Sequence, residues 1–311
     1  MVLGNTVTEE MLIRLPPRWV NASILEDTLR AGPSPLLSPV SEVDFRIPRK
    51  CNLMTDAAVR LLSLLNQLDY ATRRVVISFE ESSDGVLPYL NRIGFFQALA
   101  PNVTVLPRRP TGTAAVHYQG RNPGVVEIAR IDRSKVDKDL PTRLAAAVAR
   151  ACERRRDVNE LEGAAWTIFA ELIENVFEHS STPLDGFAAL QVYHGSNCLK
   201  VAVSDSGQGM LETLRPALKN DSPRLAGLKD VELLVKVFKQ GLSRHGPKRG
   251  CGLKGCADKA IKFRAELDVR LPQSRVILVP SGEAYALNKA FCYSGLPLIW
   301  GTHLCFTFQL D

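Results

Sequence analysis

Three short segments in the second half of this 311-residue chain carry residue types that can handle a proton, a metal ion and an anion. The first, Glu171-Leu-Ile-Glu174-Asn175-Val-Phe-Glu178-His179, offers a carboxylate, a carboxamide and an imidazole at spacing four. The second, Asp205-Ser-Gly207-Gln-Gly209-Met210, sets a carboxylate on a glycine turn. The third, Gly250-Cys-Gly252-Leu253-Lys254-Gly255, is a glycine-rich loop in a basic stretch. A carboxylate such as Glu171 can take the proton of an attacking water or hydroxyl. The amide oxygen of Asn175 suits a hard divalent cation such as Mg²⁺, which is usually shared with phosphates. Loop amides leading into a helix N-terminus suit the phosphates themselves.

The elements that must position these groups are legible. Leu161 to Ser180 reads as a helix, because Leu161, Ala164, Ala165, Ile168, Phe169, Leu172, Ile173, Val176 and Phe177 recur at three/four spacing. Glu171, Asn175 and His179 then share a face offset from that stripe. For this helix alone, a solvated polar line is an equal reading. Leu199 to Val203 reads as a buried strand that delivers Asp205 at its end. A carboxylate accepts hydrogen bonds only, which suits the exocyclic amine of adenine. Glycines at 207 and 209 permit positive φ and close approach of a ligand, although an ordinary strand-ending turn has the same composition. The third segment matches G-x-G-x-x-G, but Lys239 to Arg249 before it reads as a loop and not as the strand a dinucleotide fingerprint needs. A helix is expected over Leu253–Phe263.

In order and spacing these segments resemble the GHKL ATPase superfamily, which includes topoisomerase and mismatch-repair ATPases, heat-shock chaperones, sensor histidine kinases and anti-sigma serine kinases. Glu171-x-x-x-Asn175 resembles its N box, Asp205-x-Gly207-x-Gly209 its G1 box and Gly250-x-Gly252-Leu253-x-Gly255 its G2 box. Gly301-Thr302, leading into the strand His303–Leu310, is similar to the family's closing strand. Over roughly residues 111–311 the resemblance implies a Bergerat-fold α/β sandwich, with helices on one face of a mixed sheet. It implies ATP and Mg²⁺ as cofactors, under a mobile lid at about residues 210–249. Glu171 would be the general base and Asn175 the metal ligand. His179, Asp205, Gly207, Gly209, Lys248, Arg249, Gly250, Gly252, Leu253, Lys254, Gly255 and Thr302 would hold the nucleotide. A glutamate four before the asparagine points to the hydrolase and serine-kinase branches, and His179 is especially like the latter. His117 lies in a loop or short strand, which argues against a self-phosphorylating histidine kinase.

The bounds fit two domains of an ordinary cytoplasmic protein. The chain is 45% hydrophobic and 23% charged, no apolar run approaches membrane-spanning length, and no signal-peptide pattern opens it. Seven cysteines without framework spacing suit a reducing compartment. The net charge of +6 is concentrated over residues 205–264, where 13 Lys/Arg face 6 Asp/Glu. Phosphate contact is favoured there over nucleic acid.

Residues 1–110 read as a small α/β domain, with a short helix near Ser23–Arg30, an amphipathic helix over Thr55–Leu68 and a strand over Arg74–Phe79. A second helix over Asp84–Leu99 is broken near Gly94, and a short strand covers Asn102–Leu106. This half faintly resembles a STAS domain, which implies a phospho-accepting Ser82 or Ser83, whereas an N-cap for the following helix is the plain reading. Residues 107–124 look like the linker. The apolar stretch Glu283–Trp300 is expected to pack within the chain or to form a protein interface. Three functions follow: an ATP hydrolase regulated by its first domain, a serine/threonine kinase of anti-sigma type, and an ATP-switched binding module. A homodimer or protein partner remains open in each.

Overall fold

The computed structural model describes residues 10–80, 85–112, 114–118, 120–132, 134–179, 182–242 and 251–311. Ser82, Ser83, Lys248, Arg249 and Gly250 lie outside these, as does the side chain of His179. The first half runs β1 (Glu10–Arg14), β2 (Trp19–Val20), α1 (Ala22–Arg30), β3 (Glu42–Ile47), β4 (Asn52–Leu53), α2 (Thr55–Tyr70), β5 (Arg74–Phe79), α3 (Val86–Arg92), α4 (Phe95–Ala98) and β6 (Thr104–Leu106). The chain continues with α5 (Ala114–Tyr118), a short helix that holds His117 where a loop or short strand was expected, then β7 (Val125–Ile131), α6 (Leu140–Ala151), α7 (Val158–His179), β8 (Gly186–Tyr193) and β9 (Cys198–Ser204). Then come α8 (Met210–Asp221), α9 (Pro223–Ala226), α10 (Asp230–Gln240) and α11 (Cys251–Lys262). The last strands are β10 (Glu266–Arg270), β11 (Ser274–Ser281), β12 (Ala284–Leu287), β13 (Tyr293–Ser294) and β14 (His303–Gln309).

Local chemistry sets several boundaries. The Asn21 side chain caps α1 by accepting from the Ile24 amide at 3.0 Å. Gly94, at φ +84°, separates α3 from α4 as expected, since an L-residue is strained there. Gly241, at φ +69°, ends α10.

Two main sheets result. β1-β3-β5-β6 are all parallel. The other sheet has eight strands, ordered β12-β11-β10-β14-β9-β8-β7 with β13 on β11, and every pair is antiparallel. A mixed sheet was implied. The short turns joining β8 to β9, β10 to β11 and β11 to β12 permit only antiparallel pairing, because a parallel pair needs a long crossover. Alternation then gives the large sheet two different faces. Ala188, Leu190, Leu199, Val201, Val203, Leu267, Val269, Leu304 and Phe306 pack on α6, α7, α8, α10 and α11. Phe187, Ala189 and Ala202 join the core of the first half instead.

Helix α2 occupies that second face. It was expected to be amphipathic, but Thr55 through Leu68 are all buried. Its apolar residues join the core of the parallel sheet. Its polar residues Asp56, Arg60, Ser63 and Gln67, at steps of four, three and four, meet the polar side of the antiparallel sheet. Lys200 Nζ donates to Asp56 Oδ2 at 2.8 Å. Arg60 reaches Glu26 at 3.0 Å and Asp268 at 3.4 Å. Arg270 Nε donates to Glu26 at 3.0 Å, and Arg275 grips Asp268 through two bonds of 2.9 and 2.8 Å. Burial pushes the Asp268 carboxyl up, but Arg275 and Arg60 outweigh it and hold it at about 2. The stretch 283–300 packs within the chain, with Leu296 and Ile299 buried and the Leu298 amide donating to Ser34 Oγ at 3.0 Å.

Replacing Arg60 by Ala takes one arginine from each of two buried carboxylates, Glu26 keeping Arg270 and Asp268 keeping Arg275, so urea denaturation should show a loss of about 1.5–3 kcal/mol. A loss below about 1 kcal/mol would place the seam in the weak regime of exposed pairs.

Candidate functional site

The first and second sequence segments meet at one cavity of about 300 Å³, at the small end for small-molecule sites. Helix α7 contributes Glu171, Glu174, Asn175 and Glu178, and the end of β9 contributes Asp205. Val203, Met210, Leu211, Leu214, Val237, Leu242, Leu253 and Leu304 form apolar wall, with Gly209, Gly252 and Thr302 beside them.

Asp205 is the most constrained group. The Gly207 amide donates to its Oδ1 at 2.7 Å and the Thr302 amide to its Oδ2 at 3.0 Å. The Asp205 amide donates to the Thr302 carbonyl at 3.0 Å, and Thr302 Oγ1 accepts from the Met210 amide at 2.9 Å. Each carboxylate oxygen keeps a further lone pair for a donor in the cavity. Burial raises the carboxyl to about 6, against the amide bonds from Gly207 and Thr302 that favour its ionised form.

Glycines make this approach possible, though not all those expected. A Cβ on Gly301, at φ +92°, would lie 2.1 Å from the Asp205 carbonyl. Gly209, at φ +89°, leaves room for Pro272, whose Cδ would be 2.8 Å from its Cβ. Gly207 is not among the positive-φ residues, so its amide is what the turn uses. Gly186 passed unnoticed in the sequence. It sits where a Cβ would meet Val176 Cγ1 at 2.6 Å and the Ser204 carbonyl at 2.9 Å, so it lets α7 settle against the Asp205 strand. The preceding Thr182-Pro183-Leu184-Asp185 makes it read as an ordinary turn glycine.

On α7, Asn175 Nδ2 donates to Glu171 Oε1 at 3.4 Å. This leaves the Asn175 amide oxygen for another partner. Burial raises the Glu171 carboxyl, the Asn175 bond opposes this, and Glu174 and Glu178 add to the rise. His179 is the last residue of α7.

The third segment needs correction. The helix expected over Leu253–Phe263 is present as α11 but begins two residues earlier, at Cys251, so Gly252 to Gly255 form its first turns and not a glycine-rich loop. Gly252 lies against Glu171, where a Cβ would be 1.8 Å from Oε1. Gly252 and Leu253 line the cavity, and Gly255 does not. Lys254 pairs with Asp258 one helical turn on, because those residues share a face turned away from the cavity. The expected lid is also mostly wall: over residues 210–242, α8 and α10 place Leu211, Leu214, Leu218, Leu233, Leu234, Val237 and Phe238 in the main core. Its apolar residues recur at helical spacing and had a sheet face to cover. The remaining candidates Lys248, Arg249 and Gly250 lie outside the described residues.

No family model and no curated protein matches this chain. The reading of the site therefore rests on its geometry.

The described lining holds four carboxylates, Glu171, Glu174, Glu178 and Asp205, and no Lys, Arg or His. An anion alone would be repelled there. Among the described residues, no cluster of three His, Cys, Asp or Glu forms a complete metal cage. An oxygen-rich wall with an available amide oxygen fits a cation such as Mg²⁺ that completes its shell with water and phosphate.

The two kinds of glycine should separate on substitution. Gly255→Ala meets nothing within 4 Å and should stabilise the folded protein by up to about 1 kcal/mol. Gly301→Ala should lower stability by more than the roughly 1–3 kcal/mol of backbone strain alone, since it also strikes the Asp205 carbonyl. Thermal denaturation of both variants measures the contrast, and equal shifts would contradict the account.

Proposed function

We propose that this chain is a Mg²⁺-dependent ATPase of the GHKL type, with a Bergerat-type sandwich in its second half and a regulatory, STAS-like first half. One observation carries the reading: an anchored carboxylate in an apolar-walled cavity is joined, in that same cavity, by a half-buried Glu–Asn pair. Apolar walls suit the faces of an aromatic base. The Asp205 carboxylate accepts from an exocyclic amine and disfavours a base that presents an oxygen there, so it selects adenine over guanine.

At the α7 side, Asn175 Oδ1 holds the cation while its Nδ2 stays on Glu171. Bound Mg²⁺ supplies charge neutralisation to the phosphates in a wall that is otherwise acidic. Glu171, its proton affinity raised by burial, orients a water and takes its proton as the water oxygen attacks the γ-phosphorus, while the bond from that phosphorus to the β–γ bridging oxygen breaks and ADP leaves with the electron pair. The α11 N-terminus beside Glu171 favours the developing negative charge. Of the alternatives, the kinase has its candidate acceptors Ser82 and Ser83 outside the described residues, so no observation favours it.

Purified full chain with ATP and Mg²⁺ should release phosphate, and Glu171→Ala should lower kcat by roughly 10²–10⁴-fold while ATP still binds. Asn175→Ala should remove the Mg²⁺ dependence of binding. If Glu171→Ala loses binding and turnover together, the general-base role is wrong.

A second test follows from Asp205. Its carboxyl titrates near 6, so the acceptor form prevails above that pH and is lost as pH falls through it. ATP affinity by calorimetry should decline below about pH 6 and stay level above it, and Asp205→Asn should flatten the profile. A wild-type profile without that decline would count against the adenine contact.

A further inference from the structure

Asp205 belongs to the second half of the chain, yet the segments that hold it are bonded from behind by the first half. Its neighbours Ser204 and Ser206 are buried and contact α2. Gln67, fully buried on α2, uses its whole carboxamide there. Its Nε2 donates to Ser206 Oγ at 3.0 Å and to the Trp300 carbonyl at 2.9 Å. Its Oε1 accepts from the Trp300 amide at 2.8 Å. One side chain therefore ties together two strand-end segments. One carries Asp205, and the other carries Gly301 and the Thr302 amide that anchors the Asp205 carboxylate.

Ser63, one turn earlier on α2, completes the tie. Its Oγ lies 2.7 Å from Ser204 Oγ, which lies 2.5 Å from His303 Nδ1. His303 Nε2 faces the Trp300 carbonyl at 3.1 Å. A carbonyl only accepts, so Nε2 carries the proton and Nδ1 accepts from Ser204. Burial, with Arg60 and Arg270 nearby, holds His303 well below its usual range and so neutral. With Ser204 donating to His303, the one Ser63 proton faces two acceptors, Ser204 Oγ at 2.7 Å and the Val59 carbonyl at 3.1 Å.

From this geometry we infer that Gln67, supported by Ser63, is a positioning residue for the base-reading Asp205, so that the first half of the chain sets base selectivity without touching the base. This rests on the adenine reading of the cavity. A methionine at 67 keeps the length of the side chain but leaves the Trp300 amide and carbonyl and the Ser206 hydroxyl without that partner. The Thr302 amide and Asp205 are then free to drift apart.

The experiment is to measure ATP and GTP dissociation constants for the full chain, with Mg²⁺, in wild type, Gln67→Met, Ser63→Ala, Asp205→Ala and Thr55→Val. Residues that orient a ligating group commonly change affinity by about 10–100-fold, so Gln67→Met should weaken ATP by roughly tenfold. GTP affinity should hardly change, which narrows the ATP:GTP preference, while KM for ATP rises with kcat kept. Ser63→Ala, the milder change, should narrow the preference in the same direction. Thr55→Val cuts α2's bond to Gln191 at the far end of the helix, and should lower the melting temperature without moving the preference. If Asp205→Ala weakens ATP but Gln67→Met and Ser63→Ala keep the wild-type ATP:GTP ratio, the positioning role is overturned and the adenine reading stands. If Asp205→Ala leaves ATP affinity intact, the adenine reading itself fails, and the inference with it.

Discussion

The contact between the polar stripe of α2 and the polar face of the antiparallel sheet governs the rest of the molecule. Five charged side chains, Glu26, Arg60, Asp268, Arg270 and Arg275, are buried together there. Taking such charges from water is expensive, and pairing them returns little net stability. Glu26 Oε2, Arg60 Nε and Arg275 Nη1 lack a hydrogen-bond partner among the described residues, which keeps the return small. Holding the halves together falls instead to apolar burial, through Phe187, Ala189, Ala202 and Ile299 in the core of the first half. What the charges provide is register. A helix sliding along this sheet would part Asp56 from Lys200 and Arg60 from Asp268, leaving charges away from water without those counter-charges.

That register matters because the candidate site is assembled at strand ends. The end of β9 and the start of β14 hold Asp205 through hydrogen bonds of 2.7 and 3.0 Å. Gly186 and Gly301 remove the side chains that would otherwise separate α7, β9 and β14. The cavity is thus built from rigid elements on three sides, with helices from the presumed lid as a further wall. The acidic lining sets its chemistry: polyphosphate enters such a wall only with a cation.

Much of this was legible beforehand, and the reason differs by element. The α7 helix, the β9 strand, the β5 strand and the break at Gly94 come from local rules of periodicity and glycine geometry. Asp205 and Asn175 were legible because their residue types and spacing are tied to chemistry. The failures share a cause, since each depends on what lies opposite in space. The Thr55–Leu68 segment reads as an amphipathic helix and Leu199–Val203 as a buried strand, with nothing in either to show that the polar stripe of the helix meets Lys200, Asp268 and Arg270. That meeting joins residues far apart in the chain, by 208 positions in the Arg60–Asp268 pair. Gly252, just before the helix expected from Leu253, reads as loop because glycine is a poor helix former. The close approach of Glu171, invisible in one dimension, explains Gly252.

The buried charges also bear on how such a protein can change over generations. Glu26, Asp56 and Arg60 in the first half answer Lys200, Asp268, Arg270 and Arg275 in the second. A foreign first half joined at the 107–124 connection would bring its own helix face and leave that lattice unanswered. The linker tolerates added length, because loop closure grows only slowly with length. It does not tolerate exchange. Lineages of this architecture should drift as matched halves, with substitutions on α2 and on β9, β10 and β11 inherited together, and not as freely shuffled modules.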